Sequence, residues 1–205
     1  MRLILASTSP RRRAILALLD LPFEVIAPEF DEQLSAHLSI EQEVLDFAVG
    51  KARSVAGKNP DSIVIGSDTL ISLDGEKIGK PADQVDATRI LRVLAGKTHK
   101  IYTSVAIIDG TGGPGLRLVE EVQIAMRDYT EGEIDRYVSF NESLDKAGAY
   151  SIQGEGHKLI DSVRGDYLAA VGMPLRPIAD YLRSRGLSSG INLDRLAVEN
   201  CLKFT

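Results

Sequence analysis

Two short runs of this chain, residues 3–6 (LILA) and 62–66 (SIVIG), are apolar almost throughout. A strand with one face in water alternates polar and apolar residues, whereas a strand covered on both faces reads as a continuous apolar run. The first run leads into the sequence STSP, which is typical of the start of a helix. The two runs therefore predict buried strands in a sheet that carries helices.

The rest of the chain alternates strands with helices in its first half and places longer hairpins in the middle. This order predicts an α/β or α+β fold with a mixed, twisted sheet rather than a regular doubly wound fold. No repeat or linker divides the chain, so we expect one domain with two lobes around a cleft. Periodicity predicts helices after Pro10, over about residues 39–56, 82–94 and 175–185, and from Thr130. It also predicts strands at 23–26, 100–108 and 116–126, a hairpin at Asp74-Gly75 and a further strand over residues 163–171.

The charge and cysteine content exclude several classes of protein. The 205 residues carry a formal net charge of −5, which repels polyanions and disfavours nonspecific binding of nucleic acid. No apolar run approaches the roughly 20 residues that span a bilayer, and the opening residues are too short for a signal peptide. We therefore expect a cytoplasmic protein without a membrane partner. The single cysteine, Cys201, excludes an internal disulfide and a cysteine-based zinc site.

Three consecutive arginines follow the predicted start of the first helix. Ser9 suits the N-cap and Pro10 the first helical position, so Arg11, Arg12 and Arg13 fall where the helix already presents positive charge. An exposed arginine there costs about 0.3–1 kcal/mol. Helix amides and guanidinium groups together favour a bound anion, and phosphate suits both. We interpret this segment as an anion site rather than as a solvated run of charge.

A carboxylate follows the second apolar run, in the sequence Gly66-Ser67-Asp68-Thr69. We expect Asp68 at the end of the buried strand, where ligands commonly bind in open α/β sheets. Asp68 would act there as a general base or bind a divalent metal. An aspartate that caps a turn explains the same pattern equally well.

Other charged residues are scattered along the chain. Lys51 falls on the predicted helix 39–56, and Lys80 ends a pattern that imitates a P-loop with the wrong spacing and with Pro81 in place of the residue that holds magnesium. The acidic loop contains Asp31 and Glu32, whose oxygens suit magnesium. Taken singly, each of these residues is more typical of a solvated surface.

Six motifs, taken together in their order, resemble the Maf family of nucleoside triphosphate pyrophosphatases. The resemblance covers about residues 2–186, which we expect to form one Maf-like domain, and it leaves residues 187–205 as an unassigned tail. The motifs are residues 6–12 (ASTSPRR), 30–32 (FDE), 50–52 (GKA), 66–69 (GSDT), 79–81 (GKP) and 145–154 (DKAGAYSIQG), and residues 165–175 fit as well.

The resemblance implies a reaction and an architecture. The reaction is the metal-dependent hydrolysis of a nucleoside triphosphate between its α and β phosphates, with Mg²⁺ or Mn²⁺, which would prevent misincorporation of unwanted nucleotides. The fold would be an elongated α/β body with a mixed sheet and a deep cleft, related to that of inosine triphosphate pyrophosphatases. Family members are often dimers, so a homodimer is expected.

The resemblance also implies roles for single residues. Asp68 would activate water, and Glu32 or Asp31 would join it in binding the metal. The triphosphate would be held by Ser7, Arg11, Arg12, Lys51 and Lys80.

Thr69 and the Ile-Gln-Gly sequence at Gln153 resemble the branch that acts on dTTP, UTP and related pyrimidine nucleotides. Arg11, Thr69 and Gln153 would then determine specificity, because an amide offers both a donor and an acceptor to a base edge.

The sequence leaves three other functions open. The first is a 7-methyl-GTP pyrophosphatase of the same family, although that branch typically has another residue in place of Thr69. The second is a nucleotide-binding regulator of septum formation in cell division, for which a carboxylate beside a polyanion is unnecessary. The third is a nucleic-acid module that uses the arginines, against which the acidic net charge weighs.

Overall fold

Seven strands form one mixed sheet in the computed structural model, which describes residues 2–35 and 37–187. The strands are β1 (Arg2–Ala6), β2 (Glu24–Ile26), β3 (Ser62–Leu73), β4 (Glu76–Ile78), β5 (Thr98–Asp109), β6 (Leu116–Met126) and β7 (Ile160–Arg164). Their order is β2-β1-β3-β5-β6-β7, with β4 paired to the far end of β3. β1 is parallel to β2 and β3, and the other pairs are antiparallel. The predicted mixed α/β sheet is confirmed.

Helices flank this sheet, and side-chain caps start several of them. Ser9, Ser39 and Thr130 each accept a hydrogen bond from a backbone N–H in the first turn of the following helix. None of the helices among the described residues is long and apolar enough to cross a bilayer. The helices are α1 (Pro10–Ala17), α2 (Ile40–Ala56), α3 (Gln84–Leu94), α4 (Glu131–Ser139), α5 (Tyr167–Val171) and α6 (Leu175–Ser184), with 3₁₀ turns at Ala147–Ala149 and Gly154–Leu159.

The two apolar runs form strands that are buried on both faces, as predicted. Leu5 and Ile65 point into one core cluster, whereas Ile4 and Val64 point into a second cluster on the opposite face. The second cluster includes residues of α2, so this helix covers the sheet over β1 and β3. Burial on both faces explains why these strands lack polar alternation.

Gly66 lets α2 approach β3 unusually closely. A Cβ atom built on Gly66 would lie 2.3 Å from the carbonyl oxygen of Ala48 and 2.9 Å from the amide nitrogen of Ala52. A glycine in a strand often marks such an approach of another backbone. The contact places the middle of α2, including Lys51, next to the segment of β3 that follows Gly66.

The prediction that the second buried strand ends at Asp68 is wrong. β3 continues to Leu73, because β5 pairs with it without interruption from Ile63 to Ser72. The neighbour that ends is β1, whose last partner on β3 is Gly66. Asp68 therefore lies inside a strand, beside the gap that opens at the carboxyl end of β1.

The strand predicted within residues 163–171 is also wrong in part. β7 ends at Arg164, and Gly165 then adopts a φ of 126°. Asp166 caps α5 by accepting hydrogen bonds from the amides of Leu168 and Ala169. An N-cap of this strength turns an apolar segment into a helix that its composition alone does not reveal.

The boundary between a domain of residues 1–186 and a tail of 187–205 stays a prediction. Residues 188–205, including Cys201, lie outside the described residues.

The predicted hairpin at Asp74 and Gly75 is present between β3 and β4, with φ values of 52° and 88° that suit a two-residue hairpin turn.

Candidate active site

A cleft of about 830 Å³ opens beside Asp68, where β1 ends and α1 begins. The cleft is lined by Asp68, Thr69 and Ile71 of β3, which follow the last residue of β3 that pairs with β1. The start of α1, the loop before α2 and the segment around residues 142–154 supply its walls. Except for Asp31, all the residues to which the family resemblance assigned a role line the cleft: Ser7, Arg11, Arg12, Glu32, Lys51, Asp68, Thr69, Lys80 and Gln153.

A lysine that lines the cleft lies between two carboxylates. The Lys51 ammonium hydrogen-bonds to Asp68 Oδ1 and lies 2.5 Å from Glu32 Oε1. The side chains of Lys51 and Asp68 are only 7% and 6% exposed, whereas that of Glu32 is 41% exposed. An ion pair of this kind is weakly screened because little water reaches it. The three side chains come from α2, β3 and the loop before α2, so the fold assembles them.

Arg12 joins the same cluster from α1. Its Nε donates to the carbonyl oxygen of Gly172 at 3.1 Å, and a terminal nitrogen lies 3.4 Å from Thr69 Oγ1 and 3.6 Å from Asp68 Oδ1. Burial lowers the pKa of Arg12, and the charge of Asp68 opposes that shift. The guanidinium stays protonated under ordinary conditions. Arg12 thus brings a fixed positive charge to the edge of β3.

The start of α1 faces the cleft with backbone and side-chain donors. Ser7 is buried, and its hydroxyl accepts a hydrogen bond from the Ser9 amide at 3.1 Å. Arg11 and Arg12 line the cleft, whereas Arg13 is exposed on another side of the helix. The start of this helix and two guanidinium groups form a local anion-binding surface on an acidic protein.

The segment after the β3–β4 hairpin meets residues 142–154 beside the cleft. The amide of Gly148 donates to the carbonyl oxygen of Gly79 at 3.1 Å, which fixes the backbone next to Lys80. Gly148 and Ala149 adopt positive φ values of 73° and 59°, and the chain then turns back toward Gln153 at the cleft. The irregular path of this tract brings a cation and an amide to one cavity.

The two candidate metal-binding carboxylates of the acidic loop differ in position. Glu32 lines the cleft, whereas Asp31 is exposed and accepts a hydrogen bond from Gln33 Nε2 at 2.9 Å. Partial burial acts to raise the pKa of Glu32, but the hydrogen bond and charge of Lys51 outweigh it and the net pKa is lowered. Glu32 is therefore held as a carboxylate toward Lys51.

Asp68 and Glu32 form a donor set that fits a magnesium or manganese ion. Both carboxylates contact one ammonium, so their oxygens already surround a single cation. Mg²⁺ is commonly held by one or two carboxylates plus substrate phosphates. Within residues 2–35 and 37–187, no group of three or more histidine, cysteine, aspartate or glutamate side chains is placed to hold a metal. A metal at this cleft would thus depend on phosphate oxygens to complete its shell.

Sequence reasoning missed several groups that line or support the cleft. The Gly172 carbonyl accepts from both Arg12 Nε and Ser67 Oγ, and a backbone oxygen carries no signal in a sequence. Lys146 also lines the cleft, and its ammonium donates to the carbonyl oxygen of Glu142 at 2.6 Å. Lys146 lies inside the motif of residues 145–154, so its residue type and position were visible in the sequence although its place at the cleft was not.

Comparison with known proteins decides the family. The family model described as Maf-like protein matches residues 2–185. The chain belongs to the Maf family. A relative from Bacillus cereus (strain AH820), named dTTP/UTP pyrophosphatase, is 41% identical over 184 residues and covers 89% of this chain and 94% of the relative. Proteins of the same name from Bacillus anthracis (strain CDC 684 / NRRL 3495) and Bacillus mycoides (strain KBAB4) are 41% and 40% identical, with the same two coverages.

A solved structure is also similar to this Maf protein. It is that of the Staphylococcus aureus Ham1 protein, with a TM-score of 0.48, 15% sequence identity and coverage of 78% of this chain and 80% of that one. The resemblance to the Maf family and to its dTTP/UTP branch, predicted from the six motifs, is confirmed by the family model and the named relatives.

Proposed function

We propose that this Maf protein hydrolyses dTTP, UTP and related or modified pyrimidine nucleoside triphosphates to the monophosphate and pyrophosphate. One observation carries the proposal: a buried carboxylate, Asp68, lies in contact with Lys51 and near Arg12 at the floor of a cleft that begins at a helix N-terminus. Cations around a carboxylate suit a reaction of a polyanion with water. The relatives at about 40% identity carry the corresponding name.

The cations of the cleft account for binding of the triphosphate. Phosphoryl chemistry depends mostly on positioning and on neutralising charge. We assign phosphate contacts to Ser7, Arg11, Arg12, Lys51 and Lys80, which line one cavity although they come from three segments of the chain. When the polyanion enters, the Lys51 ammonium would turn from the carboxylates toward phosphate oxygens. Its three N–H donors allow it to change acceptors in this way.

Asp68 is the group that we assign to the attacking water. Its contacts with Lys51 and Arg12 both use Oδ1, so we assign Oδ2 to the water. The water oxygen bonds to the α phosphorus, its proton passes to Asp68, the α–β bridge breaks, and pyrophosphate leaves with the bridging oxygen. The departing charge is neutralised by the surrounding arginine and lysine side chains.

Asp68 and Glu32 are the residues that would hold Mg²⁺ or Mn²⁺. Such an ion, when bound, supplies further neutralisation of polyphosphate charge. Glu32 is preferred over Asp31 because only Glu32 lines the cleft. The family resemblance supports the remaining parts of the proposal. These are a role in removing unwanted nucleotides, a cytoplasmic location, a homodimer and a catalytic domain of residues 1–186.

Selectivity for pyrimidines is assigned to three residues that line the cleft, Arg11, Thr69 and Gln153. Thr69 is fixed by hydrogen bonds with Arg12 and with Thr103 Oγ1 at 3.1 Å. Because Thr69 is held in place, it can select a base by its shape. The Gln153 amide can form hydrogen bonds with the donor and acceptor edge of thymine or uracil.

Product analysis with a panel of nucleotides tests the proposal. The purified protein is incubated with Mg²⁺ and dTTP, UTP, dCTP, dATP or 7-methyl-GTP, and pyrophosphate, orthophosphate and nucleotide products are measured separately. We expect pyrophosphate and monophosphate in equal amounts, fastest with dTTP and UTP. Release of orthophosphate alone, or tight binding of nucleotide without turnover, would overturn the proposal, and fastest turnover of 7-methyl-GTP would overturn the assignment of the base.

A further inference from the structure

An ion pair between a buried carboxylate and a partly exposed ammonium lies next to the acidic loop, outside the residues assigned to catalysis. Glu43 of α2 is only 1% exposed, and its Oε2 lies 2.8 Å from the ammonium of Lys77 on β4. Neither residue lines the cleft. Burying the Glu43 carboxylate and partly burying the Lys77 ammonium is expensive, and apolar residues of similar volume often stabilise a fold equally well or better. The pair therefore calls for an explanation other than stability.

The contacts of this pair converge on the loop that carries Glu32. Glu43 Oε1 accepts a hydrogen bond from the backbone N–H of Ser35. The Lys77 ammonium donates to the carbonyl oxygens of Ser35 at 2.7 Å and Leu38 at 3.1 Å. Both backbone polar groups of Ser35 are thus bound by this one ion pair, three residues after Glu32.

The same pair connects three elements of the cleft. Glu43 lies on α2, which also carries Lys51, and Lys77 lies on β4, three residues before Lys80. Lys77 is itself held in register opposite Ser72 of β3, the strand that carries Asp68. A displacement of the pair would move the acidic loop relative to both the helix and the hairpin.

We propose that Glu43 and Lys77 are positioning residues that set Glu32 against Lys51 through the backbone of Ser35. The expected effect of the pair on activity rests on the proposed function. The expected effect on the position of the loop rests on the contacts alone. Supporting partners behind a carboxylate ligand commonly change metal affinity or activity by about 10–100-fold when they are removed. Loss of the pair should therefore weaken the use of metal and substrate without unfolding the protein.

Three variants separate positioning from general stability. Glu43→Gln keeps an acceptor for Ser35 and removes the charge that holds Lys77. The double variant Glu43→Leu/Lys77→Met replaces the pair with apolar side chains and removes its hydrogen bonds to the loop, and this replacement guards against a variant that fails to fold. The control is Arg92→Gln, which breaks an exposed ion pair with Glu131 of 2.6 Å on the outer surface.

Hydrogen exchange measures the structural part without any nucleotide. We expect the peptide that contains Ser35 to exchange at least about tenfold faster in the double variant, because its amide loses a buried acceptor. The peptides of α4 should exchange at the native rate in the double variant, and the peptide that contains Ser35 should do so in the control variant. Unchanged exchange around Ser35 in the folded double variant would overturn the proposal.

A kinetic cycle with Glu32→Ala tests whether the pair acts through Glu32. In the otherwise native protein, Glu43→Gln should raise the Mg²⁺ concentration for half-maximal activity about tenfold. In the Glu32→Ala background it should change that concentration less than twofold, because residues that act through one another are not additive. An equal effect in both backgrounds, or no effect in the native one, would overturn the positioning role. An inactive wild type would instead reject the proposed function and leave the exchange test in force.

Discussion

The ammonium of Lys51 and the carboxylate of Asp68 form a hydrogen-bonded ion pair in which both side chains are more than nine-tenths buried. The pair exists because α2 crosses β3 directly over Gly66, so a residue of the helix reaches the strand beside the cleft. This relationship explains how a lysine and an aspartate that are 17 residues apart can serve one site.

Replacing Lys51 should abolish most of the activity. Lys51→Ala removes the cation nearest to Asp68, and loss of one well-placed donor to a reacting oxyanion costs about 10²–10³-fold in kcat. Lys58→Ala is the matched control, since Lys58 follows the same helix and forms an exposed ion pair with Glu29. Steady-state kinetics with dTTP measures the difference. Equal kcat in the two variants would argue against a role for Lys51 in the reaction.

Gly66→Ala should destabilise the protein strongly. The added methyl group would collide with the backbone of Ala48 and Ala52, and overpacking of this kind costs about 3 kcal/mol. Gly132→Ala in α4 meets no heavy atom within 4 Å and should stabilise the helix, by about 0.5–1 kcal/mol. Urea denaturation gives both values. A Gly66→Ala variant as stable as the native protein would contradict the close contact between α2 and β3.

Stability should fall in mild acid because of His99. Burial lowers the pKa of His99 from 6.5 to about 4, while its Nε2 lies 2.7 Å from the hydroxyl oxygen of Tyr150. Between those two values the unfolded chain binds the proton more readily, so the stabilisation is complete above pH 6.5 and is lost as the pH falls toward 4. The loss amounts to about 3 kcal/mol.

The variant His99→Gln tests this dependence. Glutamine retains a polar partner for the Tyr150 hydroxyl but has no titration in that range, so the free energy of unfolding should depend less on pH. Chemical denaturation at pH 7, 6, 5 and 4 measures both proteins. Parallel curves for the two proteins would show that His99 does not titrate on unfolding.

Replacing Gln153 should affect selectivity more than the chemical step. Gln153→Ala removes about one hydrogen bond to the base, worth about 1 kcal/mol, so KM for dTTP and UTP should rise several-fold to tenfold with a smaller change in kcat. The control is Glu155→Ala, which removes a side chain that pairs with Lys158 at 2.7 Å. A fall in kcat with unchanged KM would place Gln153 in the reaction rather than in base recognition.

The sequence predicted those features that depend on local pattern. Residues 116–126 alternate in polarity and form β6 with the predicted bounds, and Ser39 starts α2 as an N-cap. Tertiary pairing decided the features that it missed. β3 runs past Asp68 because β5 extends along it, which no local pattern at residues 66–69 records.

The site could be predicted in its composition but not in its geometry. Motif order brought Asp68, Lys51 and Lys80 together, and the structure places all three at one cleft. The choice between Asp31 and Glu32 depends on the path of a loop, and the backbone of Ser35 in that loop is bound by the ion pair of Glu43 and Lys77. Side chains that bind backbone atoms of a loop leave no periodic trace in the sequence.

The most direct test of the account is pyrophosphate release from dTTP by Asp68→Asn. The amide keeps the shape of the carboxylate but cannot take a proton from water, and a general base contributes about 10²–10⁴-fold. Asp180→Asn is the control, since Asp180 forms an exposed ion pair with Arg183. We predict that Asp68→Asn folds and binds dTTP but releases pyrophosphate at least about 100-fold more slowly. Release at the native rate by a folded Asp68→Asn protein would contradict the account.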